Sequence, residues 1–419
     1  MKKIVTAPVP IWPQAGPEDI RAVTNALKAS RKDPSWLSSA DGRGIIERFE
    51  KRFSKKMGVR YGVSMSGGGP ALHVALLAAG VQAGDEVVCP TYSWGQSAGC
   101  ILQANAVPIF ADIDPDTFTV TAETIAAKLT SRTRAIIVVH MYGQSADMDP
   151  ILKLGRKRGI PVIEDAAQAT GALYKKRRVG TLGALGCFSI GSGKQIVGGE
   201  GGMVLTDDRK LRDRVLFYGH HPQRHVRQLR DPGLLALSDG LIYSYRMHPL
   251  AAVICNSMLG RLDRFNSERR KNHERLSRGL KTIFGIRPPS VRKDSRHVYH
   301  KYAPSFVPEE LPETTRGKFV AALQGVGVPI RPGYVRTPIH LRQTFAKKRY
   351  FSGKGIPWSL HPKGGAIRYR RGDCPVAEAV CGETELVLGE GAAWIGDQSR
   401  RIDQIITAFN QVVEKGLFR

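Results

Sequence analysis

RAIIVVHMYGQSADMDPILKLGRKRGIPVIEDA, residues 134–166, decides the fold. It opens on a short β-branched run, continues through an amphipathic stretch at 148–158 with helical spacing, and closes on a second apolar run after Gly159 and Pro161. Strands apolar along their whole length are covered on both faces, and strand–helix–strand units of this kind pair in parallel. The unit extends upstream. DEVVCP and AVPIFADI read as further strands, with helices near 95–104 and 121–129 between the runs. Before them stand helices at 17–30 and 44–57, then VRYGVSMSGGGPALHVALLAAG, which reads as a strand, a glycine cluster and a helix beginning near Pro70.

Downstream of Gly186 the pattern changes to FSI, the turn-rich GSGKQIVGGEGG, and MVLTD as a hairpin partner. A long helical stretch at 249–283 leads to a second part with strands near 299–306 and helices at 316–326 and 398–415. The least ordered stretch is expected at 347–371. The division expected is an N-terminal segment and helix (1–30), a large α/β domain with a mainly parallel sheet (31–255) and a smaller α/β C-terminal domain (256–419).

With 419 residues and 42% hydrophobic content, the chain has ample material for such a core. No stretch approaches a bilayer span, so no membrane partner is expected. Pro8, Pro10 and Pro13 interrupt the apolar run a signal peptide needs, and six scattered cysteines without a CxxC suit free thiols, so a cytoplasmic location is expected and a zinc site is not. The formal charge of +26 is the footprint of a nucleic-acid binder. Its runs, 21 Lys/Arg against 7 Asp/Glu over 209–301 and nine basic residues without an acid over 341–372, lack aromatic interleaving or a reading helix. A nucleic-acid partner is therefore not expected. His220, His221 and His225 cluster without a nearby carboxylate and are not read as metal ligands.

Four segments carry chemistry. Glu164 and Asp165 in IEDAAQA end a buried strand, where a carboxylate can face the ligand crevice of a parallel sheet. Lys194 sits in the small-residue turn of FSIGSGKQIVGGEGG and is a candidate for a Schiff base. A phosphate-binding P-loop is excluded there, because Phe188 stands where the first Gly belongs and Gln195 where Ser or Thr belongs. SGGGPALH opens a helix on glycines that present N–H groups to an anion. Trp94 in CPTYSWGQ follows a strand and can stack on a flat ring. An anion cradle, a stacking face, a carboxylate and a lysine, in that order, are what pyridoxal 5'-phosphate requires.

These segments resemble the DegT/DnrJ/EryC1/StrS sugar aminotransferases, of the fold type I, aspartate aminotransferase-like class. The resemblance runs nearly end to end, through FEKRF, GDEVVCPTYSW, IFADIDPDTFTV, IEDAAQATGALYKKRRVGTLG, FSIGSGKQIVGGEGGMVLTDD, the PIH of Pro338 to His340, and CPVAE at Cys374 to Glu378. It implies that Lys194 bonds the cofactor's aldehyde and shuttles the proton, and that Asp165 pairs with the ring nitrogen. Gln168 would meet the phenolic oxygen and Trp94 the ring face. Ser189, with Gly68 and Gly69, would hold the phosphate, and His340 would contact substrate. Arg246, preceded by Ser244 and Tyr245, would reach the phosphate of the neighbouring subunit in a homodimer with a shared site.

Two positions depart from the family pattern. Its Gly-Thr reads Gly68-Gly69, and its Asn before Tyr-Arg reads Ser244, each a loss of one hydrogen bond to a charged group worth about 1.5–3 kcal/mol. The activity implied is transfer of an amino group from glutamate or glutamine to a keto-sugar, with nucleotide-linked sugars favoured, or to a ketocyclitol. The rival reading, motivated by Gly69 and Ser244, is a family member that has lost efficient catalysis and acts as a binding or regulatory protein.

Overall fold

Seven short strands form one sheet in a computed structural model that describes residues 2–13, 15–240, 243–350, 355–389 and 391–418. In chain order they are β1 (Tyr61–Met65), β2 (Glu86–Pro90), β3 (Val107–Ala111), β4 (Thr133–Val139), β5 (Val162–Asp165), β6 (Leu185–Ser189) and β7 (Gly202–Thr206). Their spatial order is β1-β7-β6-β5-β4-β2-β3. The β3-β2-β4-β5-β6 portion is parallel, and β7 pairs antiparallel with both β6 and β1. The parallel sheet with a closing hairpin partner is the expected arrangement. The parallel strands are buried along nearly their whole length, which is why they read as continuous apolar runs.

The helices before, between and after them are α1 (Pro17–Ala29), α2 (Ile45–Met57), α3 (Gly68–Ala78), α4 (Gln96–Gln103), α5 (Ala122–Ala126), α6 (Met148–Arg158) and α7 (Arg209–Gly219). Helices α1 to α6 fall within a few residues of their expected places; α7 is not among the expected elements. Parallel pairing brings the carboxyl ends of β2, β5 and β6 to one edge, where the segments after Pro90, Asp165 and Ser189 begin.

Later segments depart from expectation in two respects. The stretch 249–283 is not one helix: Pro249–Met258 and Leu262–Leu280 are separated by a 3-10 turn at Leu259–Arg261. The break falls at Gly260, and Arg261 pairs there with Glu18 and Asp19 of α1. The first helix buries Ala252, Val253 and Cys255 in the larger apolar core, and the second buries Leu276 and Leu280 in a smaller core with Phe319, Ile402 and Phe409. In place of a strand across 299–306, only Ser305–Phe306 is extended, paired with Ile286–Arg287. The stretch 347–371 is irregular yet held down: Trp358 is buried and donates to the Tyr369 hydroxyl at 2.9 Å, which donates to the Pro108 carbonyl at 2.7 Å. Residues 351–354 of that stretch lie outside the described residues.

The larger core also takes in Ile339, Phe345, Cys374 and Ala377, so the C-terminal third reaches back over the sheet. CPVAE does this directly, with the Val376 and Ala377 N–H groups donating to Asp112 beyond β3 at 2.9 Å. The N-terminal strap is tied down in turn. Ile4 and Val5 donate to the Val326 carbonyl at 2.9 and 3.1 Å, beside the smaller core.

Candidate active site

Side chains alternate across a strand, so the two neighbouring acids ending β5 face opposite ways. Glu164 is fully buried and saturated: His140 Nε2 lies 2.9 Å away, and the N–H groups of Gly180, Leu182 and Gly183 donate at 2.6–2.7 Å. Burial alone would raise its pKa, but these donors outweigh it and hold the carboxylate below the ordinary range. Ala146 N–H donates to His140 Nδ1, so Nε2 carries the proton facing Glu164. Glu164 is a structural anchor.

Asp165, 5% exposed, has less support. Ser97 Oγ donates at 2.8 Å and the Ala167 N–H at 3.1 Å. Its pKa is raised by burial, against the opposing pull of Ser97, Ala167 N–H and the Lys194 charge. A cationic hydrogen-bond donor is what this carboxylate lacks, both of its donors being neutral, and a protonated ring nitrogen is such a group.

Lys194 lies across from it in the turn after β6. Burial depresses its ammonium pKa; Asp165 pulls the other way and the nearby Lys301 adds to the depression. A lysine so placed yields a neutral amine more readily than a solvated one. Its carbonyl accepts from Trp12 Nε1 at 2.8 Å, and Trp12 is capped by the Arg269 guanidinium 4.5 Å from the ring centre. The N-terminal strap thus holds the lysine turn in place.

Gln168 is buried, with Oε1 accepting the Tyr142 N–H at 2.9 Å and its own carbonyl accepting Gln195 Nε2 at 2.9 Å. With its oxygen committed, the amide NH2 is the end left for a phenolic oxygen. Trp94 is 64% exposed, with Tyr334 6.1 Å away between ring centres, so one large apolar face stands open. At α3, Gly68 closes on Ser189, where an added Cβ would lie 2.8 Å from the serine Cβ. That contact brings the hydroxyl of Ser189 to the helix start. Lysine, starved carboxylate, open aromatic face and glycine–serine cradle fit pyridoxal phosphate.

His340 occupies a different place from the one expected. It is fully buried, with Nδ1 2.6 Å from Thr91 Oγ1 and Nε2 3.1 Å from Glu378, so both ring nitrogens are spent joining the end of β2 to CPVAE. It has no nitrogen free for substrate. Ser244 is exposed with φ +53°, a left-handed conformation that asparagine tolerates better than serine. Arg246 lies close enough to His220 to disfavour that ring's protonation, behind burial and Arg224. His220 and His225 give their Nε2 atoms to the Ser64 and Leu216 carbonyls at 2.9 Å, and no metal-binding group occurs among the described residues.

Sequence reasoning missed the outer wall of the crevice. Glu385 accepts a short hydrogen bond from Tyr142 Oη and one of 3.1 Å from the Tyr334 N–H; Tyr92 Oη lies 2.8 Å from Tyr142 Oη. Burial pushes the Glu385 carboxyl up to about 7 against those donors and Arg316. Lys301 stands 5.6 Å from the Tyr334 ring centre. No local pattern announces this cluster: Tyr142 and Glu385 are 243 residues apart.

A crevice that sets a half-buried lysine against a buried aspartate, at the carboxyl edge of a mainly parallel sheet, defines a fold type I pyridoxal phosphate enzyme. The chain belongs to the DegT/DnrJ/EryC1/StrS aminotransferase family, whose model matches residues 10–359. It is 36% identical to the L-glutamine:2-deoxy-scyllo-inosose aminotransferase of Streptomyces fradiae, over 98% of this chain and 96% of that protein. It is 34% identical to the GDP-perosamine synthase of Caulobacter vibrioides, over 91% and 93% of the two chains. The solved aminotransferase of Psychrobacter cryohalolentis superposes with a TM-score of 0.82 at 28% identity, covering 97% of this chain and 99% of that one. No helix among the described residues is long and apolar enough to cross a membrane.

Proposed function

We propose that this pyridoxal phosphate-dependent aminotransferase moves the amino group of L-glutamine onto a ketocyclitol of the 2-deoxy-scyllo-inosose type, in the cytoplasm, as a homodimer with Arg246 serving the partner's site. The half-buried Lys194 set against the buried Asp165 carries the reaction class. The near-complete alignment with a 2-deoxy-scyllo-inosose aminotransferase supports the acceptor. A second reading, a nucleotide-linked keto-sugar, is favoured by the acid-free basic run at 341–372, which suits a diphosphate.

When bound, the cofactor supplies an electron sink for the carbon that exchanges its amino group. The residues do the rest. Lys194, its ammonium pKa depressed by burial, would carry the proton at Nζ between the substrate carbon and the cofactor. Asp165 holds a proton on the ring nitrogen, with Ser97 fixing the carboxylate. Gln168 orients the phenolic side through its NH2, and Trp94 covers the ring face against water. Ser189 Oγ and the Gly68 and Gly69 N–H groups bind the phosphate. The binding-protein alternative finds no support in this arrangement, since lysine and aspartate stand together in the crevice.

The test is spectroscopic. Purified protein with pyridoxal phosphate should show a visible-edge band that L-glutamine removes and 2-deoxy-scyllo-inosose restores, and Lys194→Ala should abolish band and turnover together. Turnover retained in that variant would refute the assignment. An acceptor KM indifferent to salt supports the cyclitol, and one that climbs steeply with salt supports the nucleotide sugar.

A further inference from the structure

We propose that the side-chain amide of Gln96 is the phosphate donor that Gly69 lacks, making Gln96 a cofactor-binding residue of this chain. The inference rests on the pyridoxal phosphate reading above. The start of α3 is short of donors. Its N-cap, Gly67, has no capping side chain, Pro70 carries no N–H, and the Ala71 N–H is spent on the Gly67 carbonyl at 3.0 Å. The first turn is left with the N–H groups of Gly68 and Gly69, and Ser189 Oγ beside Gly68.

Gln96 fills the gap. A Cβ built on Gly69 would lie 2.9 Å from Gln96 Nε2, 2.9 Å from its Cγ and 3.0 Å from its Cδ. The amide therefore stands where a side chain at position 69 would begin, and the two exclude each other. Its orientation suits a donor. Nε2 gives one hydrogen to Gln103 Oε1 at 3.1 Å, while Oε1 turns toward Gly99, where an added Cβ would meet it at 3.4 Å. The amide keeps a second N–H, and its Nε2 lies beside Gly69. Gln96 also opens α4 two residues after Trp94, so the loop that presents the ring platform carries this donor too. The glycine and the glutamine thus form one exchangeable unit: a small residue at 69 admits a long amide from 96, and a hydroxyl at 69 needs a small residue at 96.

The experiment titrates the apoprotein with pyridoxal phosphate and, separately, with pyridoxal, reading dissociation constants from absorbance. Wild type must bind pyridoxal phosphate; if it binds neither compound, the functional reading has failed and not this one. Gln96→Ala should weaken pyridoxal phosphate tenfold or more and change pyridoxal less than twofold. Gly69→Thr alone should also weaken it, by crowding Gln96, and Gly69→Thr/Gln96→Ala should return to within about threefold of wild type. Gln96→Glu, which keeps shape and folding but trades the donor for a negative charge, should weaken phosphate binding further still. Unchanged affinity in Gln96→Ala, an equal loss for pyridoxal, or a double variant as weak as the singles combined would overturn the proposal.

Discussion

On one face of the sheet, at the end of β5, a carboxylate sits among four donors; on the other face, one residue later, a carboxylate nearly as buried has two. The first face is stable chemistry: Glu164 binds the loop 180–183 and wants nothing further. The second face is unfinished, and its raised pKa measures what is missing. Burial alone does not mark a functional acid. The shortfall of partners does, because desolvation that the fold leaves uncompensated is free to be compensated by a ligand.

The comparison breaks if the two acids respond alike to losing their charge. Asp165→Asn should lower kcat/KM by about a hundredfold or more, the ~3 kcal/mol of a charged hydrogen bond, while its unfolding midpoint holds or rises, since a poorly supported charge has been removed. Glu164→Gln should do the reverse, costing about 3 kcal/mol of stability with activity per folded molecule changed only a few-fold. Denaturant unfolding and steady-state kinetics on both variants decide it; equal losses in both assays would erase the distinction.

The crevice wall sharpens it. Glu385, like Asp165, is a buried acid raised above its ordinary value of 4.5, to about 7. Its folded form holds a proton more tightly than the unfolded chain does, so its stabilising contribution is full below the ordinary value and lost as pH rises through 7. Glu385→Gln cannot titrate. Relative to that variant, wild type should lose about 3 kcal/mol, most of it between pH 5 and 8; parallel stability curves would mean that Tyr142, Tyr92 and Arg316 compensate the charge fully.

The floor of the crevice was legible because each piece is local. A strand ends in an acid, a turn of small residues holds a lysine, and glycines open a helix, all within runs whose period and punctuation survive in sequence. The wall was not, because Glu385, Tyr142 and Tyr334 come from segments that share no pattern and meet only through tertiary packing. The PIH match drew attention to His340 but could not reveal that Thr91 and Glu378 use both its nitrogens. The division of 249–283 into two helices was hidden for a related reason: apolar spacing runs through Gly260, while the ion pairs of Arg261 with Glu18 and Asp19 at the break come from the distant α1.

The smallest effect expected lies at Ser244, where the departure from the family's asparagine looked in sequence like a lost hydrogen bond. The backbone gives it a second meaning. At φ +53° a serine sits in the left-handed region, which asparagine enters more cheaply and glycine more cheaply still. Ser244 is exposed, and the neighbouring Tyr245 carbonyl accepts the Ser66 N–H at 2.8 Å, two residues before the α3 start. Strain at 244 is therefore coupled to the phosphate cradle through one backbone bond. Ser244→Gly should raise stability by about 0.5–1 kcal/mol through conformation alone, and Ser244→Asn by less. If asparagine also tightens pyridoxal phosphate while glycine does not, the side chain reaches the cofactor. If both variants shift stability and neither shifts affinity, Ser244 bears only on the turn, and the phosphate is held from the Gly68, Ser189 and Gln96 side.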